Sequence, residues 1–556
     1  MNEQPAGEFD YVVVGAGSAG CVVANRLSED ARSSVLVIEY GGSDRSIIVQ
    51  MPAALSIPLN KKKFNWGYRS EPEPHLGGRR IACPRGKALG GSSSINGLVY
   101  VRGHPLDFDR WESEGADGWA YRKILPYFRR AESFARGGDS YRGGDGPLAT
   151  RSGSWRNPLY AAFVESGRQA GYPVSADLNG EYPEGFGRLD MTVKNGVRWS
   201  AANAYLRPAM KRANLRVVMH ALATQIVFEG KRAVGVRFER TGRMHVARAR
   251  REVILCGGAI NSPQLLKLSG IGPEAELREL GIPVVHARPG VGANLQDHLE
   301  FYFQIASRQP ITLYGKSGPI SRALIGLNWL MRDHGDGATN HFEAGAFIRS
   351  RAGVEHPDIQ YHFLPMAVSY DGAHLASEHG FQAHVGPLRS KSRGAVTLKS
   401  ADSREAPILR FNYMSEADDW KEMRACVRLT REIFAQPAFD AYRGREIQPG
   451  PQCESDDEID AFIREKAESA YHPCGTCRMG APDDPDAVVD PSARVIGLEA
   501  LRVVDASIMP SITSGNLNAP TIMIGEKASD MILGREPPPA SNASFHLAPD
   551  WRERQR

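Results

Sequence analysis

The fold is decided near the start of the chain, which reads Phe9-Asp-Tyr-Val-Val-Val-Gly15-Ala-Gly17-Ser-Ala-Gly20. Residues 9–14 form a short apolar run typical of a buried parallel strand, and a helical pattern follows Gly20. Gly15 permits a tight turn, Gly17 lets the backbone approach a pyrophosphate, and Gly20 allows close packing of helix on strand. The free N–H groups at the start of the helix would face the phosphates. This stretch therefore predicts a Rossmann-type dinucleotide site.

A second apolar run, residues 35–38, ends at Glu39, which stands 19 residues after Gly20. A carboxylate at this distance suits the paired hydroxyls of a ribose. Because Glu39 is an acid and not an arginine, the 2′-phosphate of NADP is disfavoured. The spacing alone leaves FAD and NAD open.

Two segments far along the chain also resemble a buried strand that ends in a glycine turn or an acidic residue. Residues 252–256 run into Gly257-Gly258, and residues 501–504 end at Asp505. Both patterns indicate a discontinuous nucleotide-binding domain with a parallel sheet. Other segments alternate apolar and polar side chains: three short pieces within residues 215–239, which predict a β-meander, and residues 381–385 and 395–398, which predict antiparallel strands of a second domain.

Length and charge narrow the class of protein. A chain of 556 residues exceeds the roughly 250–300 residues that one hydrophobic core accommodates, so at least two units are expected. The formal net charge of +4 gives no basic footprint, and we expect no nucleic-acid partner. Cys474 and Cys477 form a lone CxxC with no second pair to complete a zinc site, so we expect no metal.

Seven scattered cysteines and an acidic N-terminus without a signal pattern favour a cytoplasmic protein. No apolar run reaches the roughly 18 residues of a membrane span. Peripheral contact with the inner membrane stays open.

Several ordered segments resemble the glucose–methanol–choline (GMC) oxidoreductases, a family of FAD-dependent alcohol oxidases and dehydrogenases. The resemblance covers nearly the whole chain and rests on these segments: DYVVVGAGSAGCVVANRLSED, RGKALGGSSSINGLVYVRGH, GAINSPQLLKLSGIGP, PGVGANLQDH and YHPCGTCRMG with VVDASIMPSITSGNLNAPTIMIGEKASD. The segments FNWGYRSEPEP, NHFEAGAFIRS and IQYHFLP are similar to the choline-oxidising members of the family.

The resemblance implies an α/β plus α+β architecture, with a Rossmann-type FAD-binding domain and a substrate domain of antiparallel sheet flanked by helices. The FAD domain would comprise residues 1–155, 195–305 and 463–535, the last part carrying the catalytic histidine. The substrate domain would span residues 306–462, and residues 536–556 would form an extended tail.

Site residues follow from the same resemblance, position by position. His472 would be the catalytic base, with Asn516 as its partner. FAD would be held by Gly15, Gly17, Gly20, Glu39, Gly90, Gly91, Asn96, Gly97, Asp505, Ala506, Asn518 and Thr521. Some relatives bind the flavin covalently through a histidine where this chain has Ile95, so we expect non-covalent FAD.

A quaternary ammonium group is recognised by a carboxylate and by aromatic faces, because it donates no hydrogen bonds. Where choline-oxidising relatives keep such groups, this chain has Glu343, Trp66 and Tyr471, with His362 as a further pocket residue.

The function that the resemblance implies is FAD-dependent oxidation of choline to betaine aldehyde, with oxidation of the aldehyde hydrate to glycine betaine left open. The alcohol would lose a proton to the base and a hydride to flavin N5. Electrons would pass to a non-oxygen acceptor such as a quinone. The alternatives are a GMC dehydrogenase or oxidase of another primary alcohol, aliphatic or polyether, and a lyase or decarboxylase on the same scaffold.

Overall fold

The N-terminal strand stands inside a parallel sheet in this computed structural model, which describes residues 3–332, 334–369 and 378–556. Gln4–Val14 pairs in parallel with Val35–Ile38 on one side and with Arg243–Leu255 on the other. Leu215–Val218 extends the sheet beyond Val35–Ile38, and Leu501–Val503 pairs with Arg243–Leu255. All five strands are parallel and end at one edge, where doubly wound sheets bind their ligands.

The predicted β-meander is only partly correct. Ala221–Glu229 and Arg232–Arg240 pair antiparallel, but their third partner is Arg243–Leu255. Leu215–Val218 instead joins the parallel strands, because Asn214 holds its start beside Val35. The Asn214 carbonyl accepts from Val35 N, and its side-chain amide donates to three carbonyls of the loop before Val35.

The second large sheet is mostly antiparallel, and among the described residues it has eight strands. In spatial order they are Arg443–Gln448, Leu299–Ser307, Gly380–Pro387, Ile359–Leu364, Ala344–Ile348, Gly185–Arg188 and Val174–Ser175, with Glu468–Ser469 pairing with Leu299–Ser307. Successive side chains point to opposite faces of a strand. One face is apolar and packs against helices through Phe301, Phe303, Tyr361, Phe363 and Phe381. The other face lines the site described below.

Short strands complete the sheets. One small sheet comprises Val99–Tyr100, Asp190–Met191, Leu148–Ser152 and Glu132–Phe134. Two-strand pairs are Tyr68–Arg69 with Ala82–Cys83, Val193–Lys194 with Val197–Arg198, Ile271–Gly272 with His286–Ala287, and Ala395–Thr397 with Ile408–Arg410. The predicted strand at residues 395–398 therefore lies outside the second large sheet.

Helices cover both large sheets. The α-helices are Ser18–Leu27, Ile47–Gln50, Ser56–Leu59, Pro105–Ser113, Tyr121–Ala131, Pro158–Gln169, Arg207–Ala209, Gly258–Leu268, Glu274–Glu279, Pro319–Arg332, Ala417–Phe434, Asp456–Lys466 and Asn518–Leu533. The first and last of them pack together in the core, and Arg26 donates to the buried Glu526 across their interface. Within the described ranges, no helix is both long and apolar enough to cross a membrane.

The domain bounds stay a prediction, and parts of the second large sheet lie outside residues 306–462. Glu468–Ser469, in the predicted third part of the FAD domain, pairs with Leu299–Ser307. Leu299–Ser307 belongs to the second sheet, so it crosses the predicted boundary between residues 305 and 306. Gly185–Arg188, in a stretch assigned to neither domain, also joins the second sheet. Residues 536–556 run along the surface as far as Arg556, whose guanidinium pairs with Glu432.

Candidate active site

A cavity of about 440 Å³ lies between the two large sheets. At one end it is bounded by the glycine-rich turn after the first strand, including Gly15 and Gly17. At the other end it is bounded by the polar face of the second sheet, including Glu300 and His362, and by His472. Residues from both units thus enclose one continuous space.

The glycine-rich end is shaped for a phosphate group. Ser18–Leu27 begins at Gly17, and no side chain caps its first turn, so its N–H groups face the cavity. A Cβ on Gly15 would lie 2.5 Å from the Cys256 carbonyl oxygen, and one on Gly91 would lie 2.7 Å from Gly17 Cα. Side chains at these positions would close the turn, so the residues present fit a dinucleotide.

Glu39 stands at the end of its strand and lines the cavity. Its carboxylate accepts hydrogen bonds from Ala16 N at 2.9 Å and from Gly41 N at 2.7 Å. Burial raises its pKa. A carboxylate has about four lone-pair sites, so it retains acceptor capacity for ribose hydroxyls.

Ten of the twelve predicted FAD-binding residues line this cavity: Gly15, Gly17, Glu39, Gly91, Asn96, Gly97, Asp505, Ala506, Asn518 and Thr521. The other two, Gly20 and Gly90, lie behind its wall. A Cβ on Gly20 would lie 2.0 Å from the Gly15 carbonyl oxygen, so this glycine serves helix–strand packing. Gly90 adopts a φ of 87° and donates to the Ala16 carbonyl, which shapes the loop that carries Gly91.

His472 and Asn516 come together although they are 44 residues apart in sequence. Asn516 Nδ2 lies 3.0 Å from His472 Nε2, and both residues line the cavity. Asn516 Oδ1 accepts from Gln360 Nε2 at 3.1 Å, which directs the amide nitrogen toward the histidine. Burial holds the pKa of His472 well below its ordinary value, and His298, His362 and Arg85 add to the effect.

The tautomer of His472 follows from a backbone carbonyl. His298 Nε2 lies 3.0 Å from the Leu388 carbonyl, which only accepts, so His298 carries its hydrogen on Nε2. Its Nδ1 then accepts from His472 Nδ1, which is 3.0 Å away. His472 therefore carries its lone pair on Nε2, where it accepts from Asn516 Nδ2, and this is the lone pair that a general base uses.

Asp297 holds the loop that carries His472. Its Oδ1 accepts from His472 N at 2.6 Å, and its Oδ2 accepts from Tyr413 OH at 2.6 Å and from Ser469 Oγ. Tyr471 adopts a φ of 68°, a left-handed conformation that non-glycine residues rarely take. The carboxylate thus stabilises a strained backbone next to His472.

The second sheet supplies a polar wall beside this pair. On Leu299–Ser307, Glu300, Tyr302 and Gln304 alternate with buried apolar residues, and Glu300 and Tyr302 line the cavity. His384 stacks on Tyr302 with ring centroids 3.8 Å apart, and its Nδ1 lies 3.2 Å from Glu300 Oε1. Phe342 meets the rings of His362 and His384 edge-on. A carboxylate and aromatic faces therefore lie close together here.

Glu343 does not line the cavity, contrary to its predicted role in substrate binding. It is buried, and its carboxylate accepts from Trp155 N at 2.6 Å, Thr339 Oγ1 at 2.7 Å and Ser154 Oγ. Glu343 directly precedes the strand Ala344–Ile348, and its Cβ faces Gly153. On that side the three donors hold its carboxylate in a structural role.

The other predicted substrate residues all line the cavity, at different places. His362 lies 3.2 Å from Asn516 Oδ1 through its Nε2, and burial lowers its pKa. The Tyr471 carbonyl accepts from Arg85 Nη2 at 2.5 Å. Trp66 stacks between Tyr40, the residue after Glu39, and Tyr68. Trp66 thus stands on the Glu39 side of the cavity.

Ile95 is buried in an apolar cluster with Val49, Phe64 and Ala88. Its side chain offers no nucleophile to a flavin. Non-covalent attachment of the cofactor stays a prediction.

Comparison with known proteins decides the family. Models of the GMC oxidoreductase family match residues 9–300 and 390–525. The chain belongs to the GMC oxidoreductase family. An oxygen-dependent choline dehydrogenase of Brucella ovis is 61% identical over 549 residues, covering 99% of this chain and 100% of the relative. One from Sinorhizobium fredii is 57% identical over 544 residues, covering 98% and 99%.

Solved structures agree with this assignment. Pyridoxine 4-oxidase from Mesorbium loti superposes with a TM-score of 0.86 at 30% identity, covering 95% of this chain and 100% of that one. Formate oxidase of Aspergillus oryzae gives 0.89 at 26% identity, covering 96% and 99%. The predicted fold class, FAD as cofactor and oxidoreductase chemistry are thereby confirmed.

Sequence reasoning missed several residues around His472 and Asn516: Asp297, His298, Glu300, Tyr302, Phe342, Gln360, Gln382 and His384. Two signals could have found them. Asp297 and His298 end the quoted PGVGANLQDH segment, and Glu300 follows two residues later. The strands Leu299–Ser307, Ile359–Leu364 and Gly380–Pro387 each place polar residues at alternate positions.

Proposed function

We propose that the protein oxidises choline to betaine aldehyde in this cavity. The observation that carries the proposal is the common enclosure of a base, His472, and a carboxylate flanked by aromatic rings, Glu300 with Tyr302. A relative 61% identical over nearly the full chain is named a choline dehydrogenase, which supports the same substrate.

The reacting end of the substrate lies at His472 and Asn516. The alcohol hydroxyl replaces the direct contact between Asn516 and His472: its oxygen accepts from Asn516 Nδ2, and it donates its proton to His472 Nε2. The hydrogen on His472 Nδ1 then bonds to His298, which helps to accommodate the charge on the ring. Bound FAD supplies the hydride acceptor for the alcohol carbon.

The cationic end of the substrate faces Glu300. A trimethylammonium group gains coulombic attraction from the carboxylate and cation–π attraction from Tyr302 and Phe342, worth about 0.5–2 kcal/mol for each ring. This assignment replaces Glu343, whose carboxylate is committed to Ser154, Trp155 and Thr339.

FAD is held in this proposal by the ten predicted residues that line the cavity. The start of Ser18–Leu27 binds the pyrophosphate, and Glu39 binds the ribose. Asp505 is held by Gly258 N and Ser262 Oγ, which keeps Ala506 against the cavity. Gly20 and Gly90 shape the turns that carry these groups.

The electron acceptor has two candidates. The sequence favoured a non-oxygen acceptor such as a quinone, whereas the relatives carry "oxygen-dependent" in their name. We propose a lipid-soluble quinone, reached by peripheral contact with an anionic membrane. Pro319–Arg332 supports this proposal because Ile320, Leu324, Leu327 and Met331 form one exposed apolar stripe on a helix without acidic residues.

Anaerobic reduction of the bound flavin tests the substrate. Choline is compared with 3,3-dimethyl-1-butanol, its uncharged isostere, in the wild type, Glu300→Gln and Glu343→Gln. We expect choline to bleach the flavin at far lower concentration than the isostere, and Glu300→Gln to remove that preference. Glu343→Gln is the control and should keep it. Equal reduction by both alcohols in the wild type would favour a dehydrogenase of neutral alcohols, and no reduction by any alcohol would favour a lyase or decarboxylase.

A further inference from the structure

Behind Glu300, the side chains of His384, Gln382 and Gln304 form a hydrogen-bonded series. It ends at the backbone N–H and carbonyl of Val368. Gln382 is fully buried, and His384 is 8% exposed. On neighbouring strands Gln304 lies opposite Gln382, and Tyr302 lies opposite His384. The two glutamines touch neither His472 nor Asn516 in the contacts of the described residues. Any influence of the two glutamines on the site therefore passes through His384 and Glu300.

Val368 fixes how both glutamine amides point. Its N–H donates to Gln382 Oε1 at 2.9 Å, and its carbonyl accepts from Gln304 Nε2 at 2.8 Å. Gln304 Nε2 also donates to Gln382 Oε1 at 2.8 Å. Reversing either amide would bring two donors or two acceptors together. The amide nitrogen of Gln382 must therefore point away from Val368.

That nitrogen lies 2.8 Å from His384 Nε2. Since the amide nitrogen only donates, His384 Nε2 must accept, and the ring carries its hydrogen on Nδ1. His384 Nδ1 lies 3.2 Å from Glu300 Oε1, so the ring donates to the carboxylate as the uncharged tautomer. Glu300 gains a hydrogen bond without acquiring a neighbouring positive charge from this ring.

We infer that Gln382 is a positioning residue that determines specificity: it locks His384 in the tautomer that orients Glu300 while leaving the negative charge of Glu300 available to a cationic substrate. The inference rests on the proposed function, since a neutral alcohol would gain nothing from that charge.

Replacement of Gln382 tests the lock. In Gln382→Glu, the side chain still accepts from Val368 N but now also accepts at His384 Nε2. The ring must then either turn a lone pair toward Glu300 or become positive between two carboxylates. We expect the KM for choline to rise by about tenfold, the loss of one charged contact. The kcat, and the KM for 3,3-dimethyl-1-butanol, should change little.

Gln382→Met is the matched control. It keeps the volume and removes the donor without adding an acceptor, so His384 Nε2 loses its fixed partner but the ring is not forced to turn a lone pair toward Glu300. We expect a smaller rise in the KM for choline than in Gln382→Glu. An equal rise for choline and for the neutral isostere in Gln382→Glu would reveal a packing defect and overturn the inference, as would an unchanged KM for choline.

The wild-type protein gives an independent reading if the variants fold poorly. In ¹⁵N-histidine-labelled holoenzyme, the His384 resonances, assigned by their loss in His384→Gln, should show an unprotonated Nε2 and a protonated Nδ1. The opposite tautomer would overturn the inference. If wild-type enzyme prefers choline and Glu300→Gln abolishes that preference while Gln382→Glu keeps it, only this inference fails. If the wild type shows no preference, the proposed function fails with it.

Discussion

Asp297 carries four hydrogen bonds on one buried carboxylate, from Tyr413 OH, Ser469 Oγ and the backbone N–H groups of His298 and His472. Removing it leaves the left-handed Tyr471 backbone without its anchor. We predict that Asp297→Ala lowers kcat for choline by about 10²-fold, the cost of misplacing a catalytic group by about 1 Å. Steady-state kinetics on FAD-loaded enzyme measures this loss.

Asp297→Asn is the control for that prediction. Its Oδ1 still accepts from the two backbone N–H groups, and its amide nitrogen donates to the hydroxyl oxygens of Tyr413 and Ser469, which also accept. We expect it to retain most of the activity. Wild-type kcat in Asp297→Ala would contradict an anchoring role.

Residue identity alone predicted some of the site and not the rest. Glu39 was found because its distance from the glycines is fixed by one strand and one helix. His472 and Asn516 were found through the resemblance, and the structure brings them within hydrogen-bond distance. The choice between Glu343 and Glu300 depends on which face of the second sheet each carboxylate meets. No local pattern around Glu343 reveals the donors from residues 154, 155 and 339 that occupy it.

At the scale of elements, the alternation of apolar and polar residues along a strand shows which side chains face the cavity, which single residues do not. Ile359–Leu364 buries Ile359, Tyr361 and Phe363 in the core, which leaves Gln360 and His362 on the cavity side. The sequence predicted the strand at residues 381–385 but not its neighbours, because strands that pair across the sheet are not adjacent in sequence: Leu299–Ser307 and Ile359–Leu364 both pair with Gly380–Pro387. The first piece of the predicted meander was wrong for the same reason, because Leu215–Val218 pairs with Val35–Ile38, which lies far away in sequence.

The helix Pro319–Arg332 has an exposed apolar face, and the surface that binds to this face can be tested. Leu324 and Leu327 are 61% and 51% exposed, and Leu330 shares a surface depression with Arg45 and with Arg207, which is paired with Asp44. Exposed apolar stripes beside basic groups bind anionic bilayers. We predict that the holoenzyme co-sediments with vesicles of mixed phosphatidylcholine and phosphatidylglycerol, and that Leu324→Ser with Leu327→Ser reduces the bound fraction several-fold.

The matched control for vesicle binding is Val174→Ser with Tyr182→Ser, which removes exposed apolar side chains from another part of the surface. It should bind vesicles as the wild type does. Choline-driven bleaching of the flavin should be the same in both double variants. No binding by the wild type, or a concentration-dependent dimer broken by the Leu324 and Leu327 changes, would assign the stripe to a second copy instead.

At the scale of the whole molecule, burial of histidines couples stability to pH. Burial lowers the folded-state pKa of seven of them below the ordinary 6.5: His104, His286, His298, His341, His356, His362 and His472. The unfolded chain therefore binds protons below about pH 6.5 that the folded chain does not, so the free energy of unfolding falls as the pH drops from there. Each histidine contributes up to about 1.4 kcal/mol per pH unit.

We predict a lower denaturant midpoint for holoenzyme at pH 5.5 than at pH 7.5, with a smaller difference in His341→Gln. Carboxylates do not cause this fall. Those whose pKa is lowered by arginine partners, such as Glu132 at about 2, stay ionised in both folded and unfolded states above pH 5.5, and one whose pKa burial raises, Glu422 at about 7, binds a proton first in the folded state and so opposes the fall. Equal midpoints at the two pH values would contradict the prediction.

The tail joins parts of the molecule that are distant in sequence. Ser541 N donates to the Arg122 carbonyl, the Trp551 carbonyl accepts from Gly353 N, and Gln555 Nε2 donates to the Arg349 carbonyl. Phe545 packs edge-on against Tyr121 and His104. The tail therefore ties the helix Tyr121–Ala131, which packs in the core of the parallel sheet, to the loop after Ala344–Ile348 in the second large sheet.

Truncation after Arg535 should lower the Tm of the holoenzyme while choline still bleaches the bound flavin, because the described residues of the tail do not line the cavity. Each kcal/mol lost lowers Tm by at most about 2–4 °C in a chain of this size. Removal of residues 552–556 alone is the control: it deletes the Gln555 bond and keeps those of Ser541 and Trp551, so it should cost less. Loss of FAD from the truncated protein, measured by flavin content after gel filtration, would show instead that the tail supports the nucleotide site.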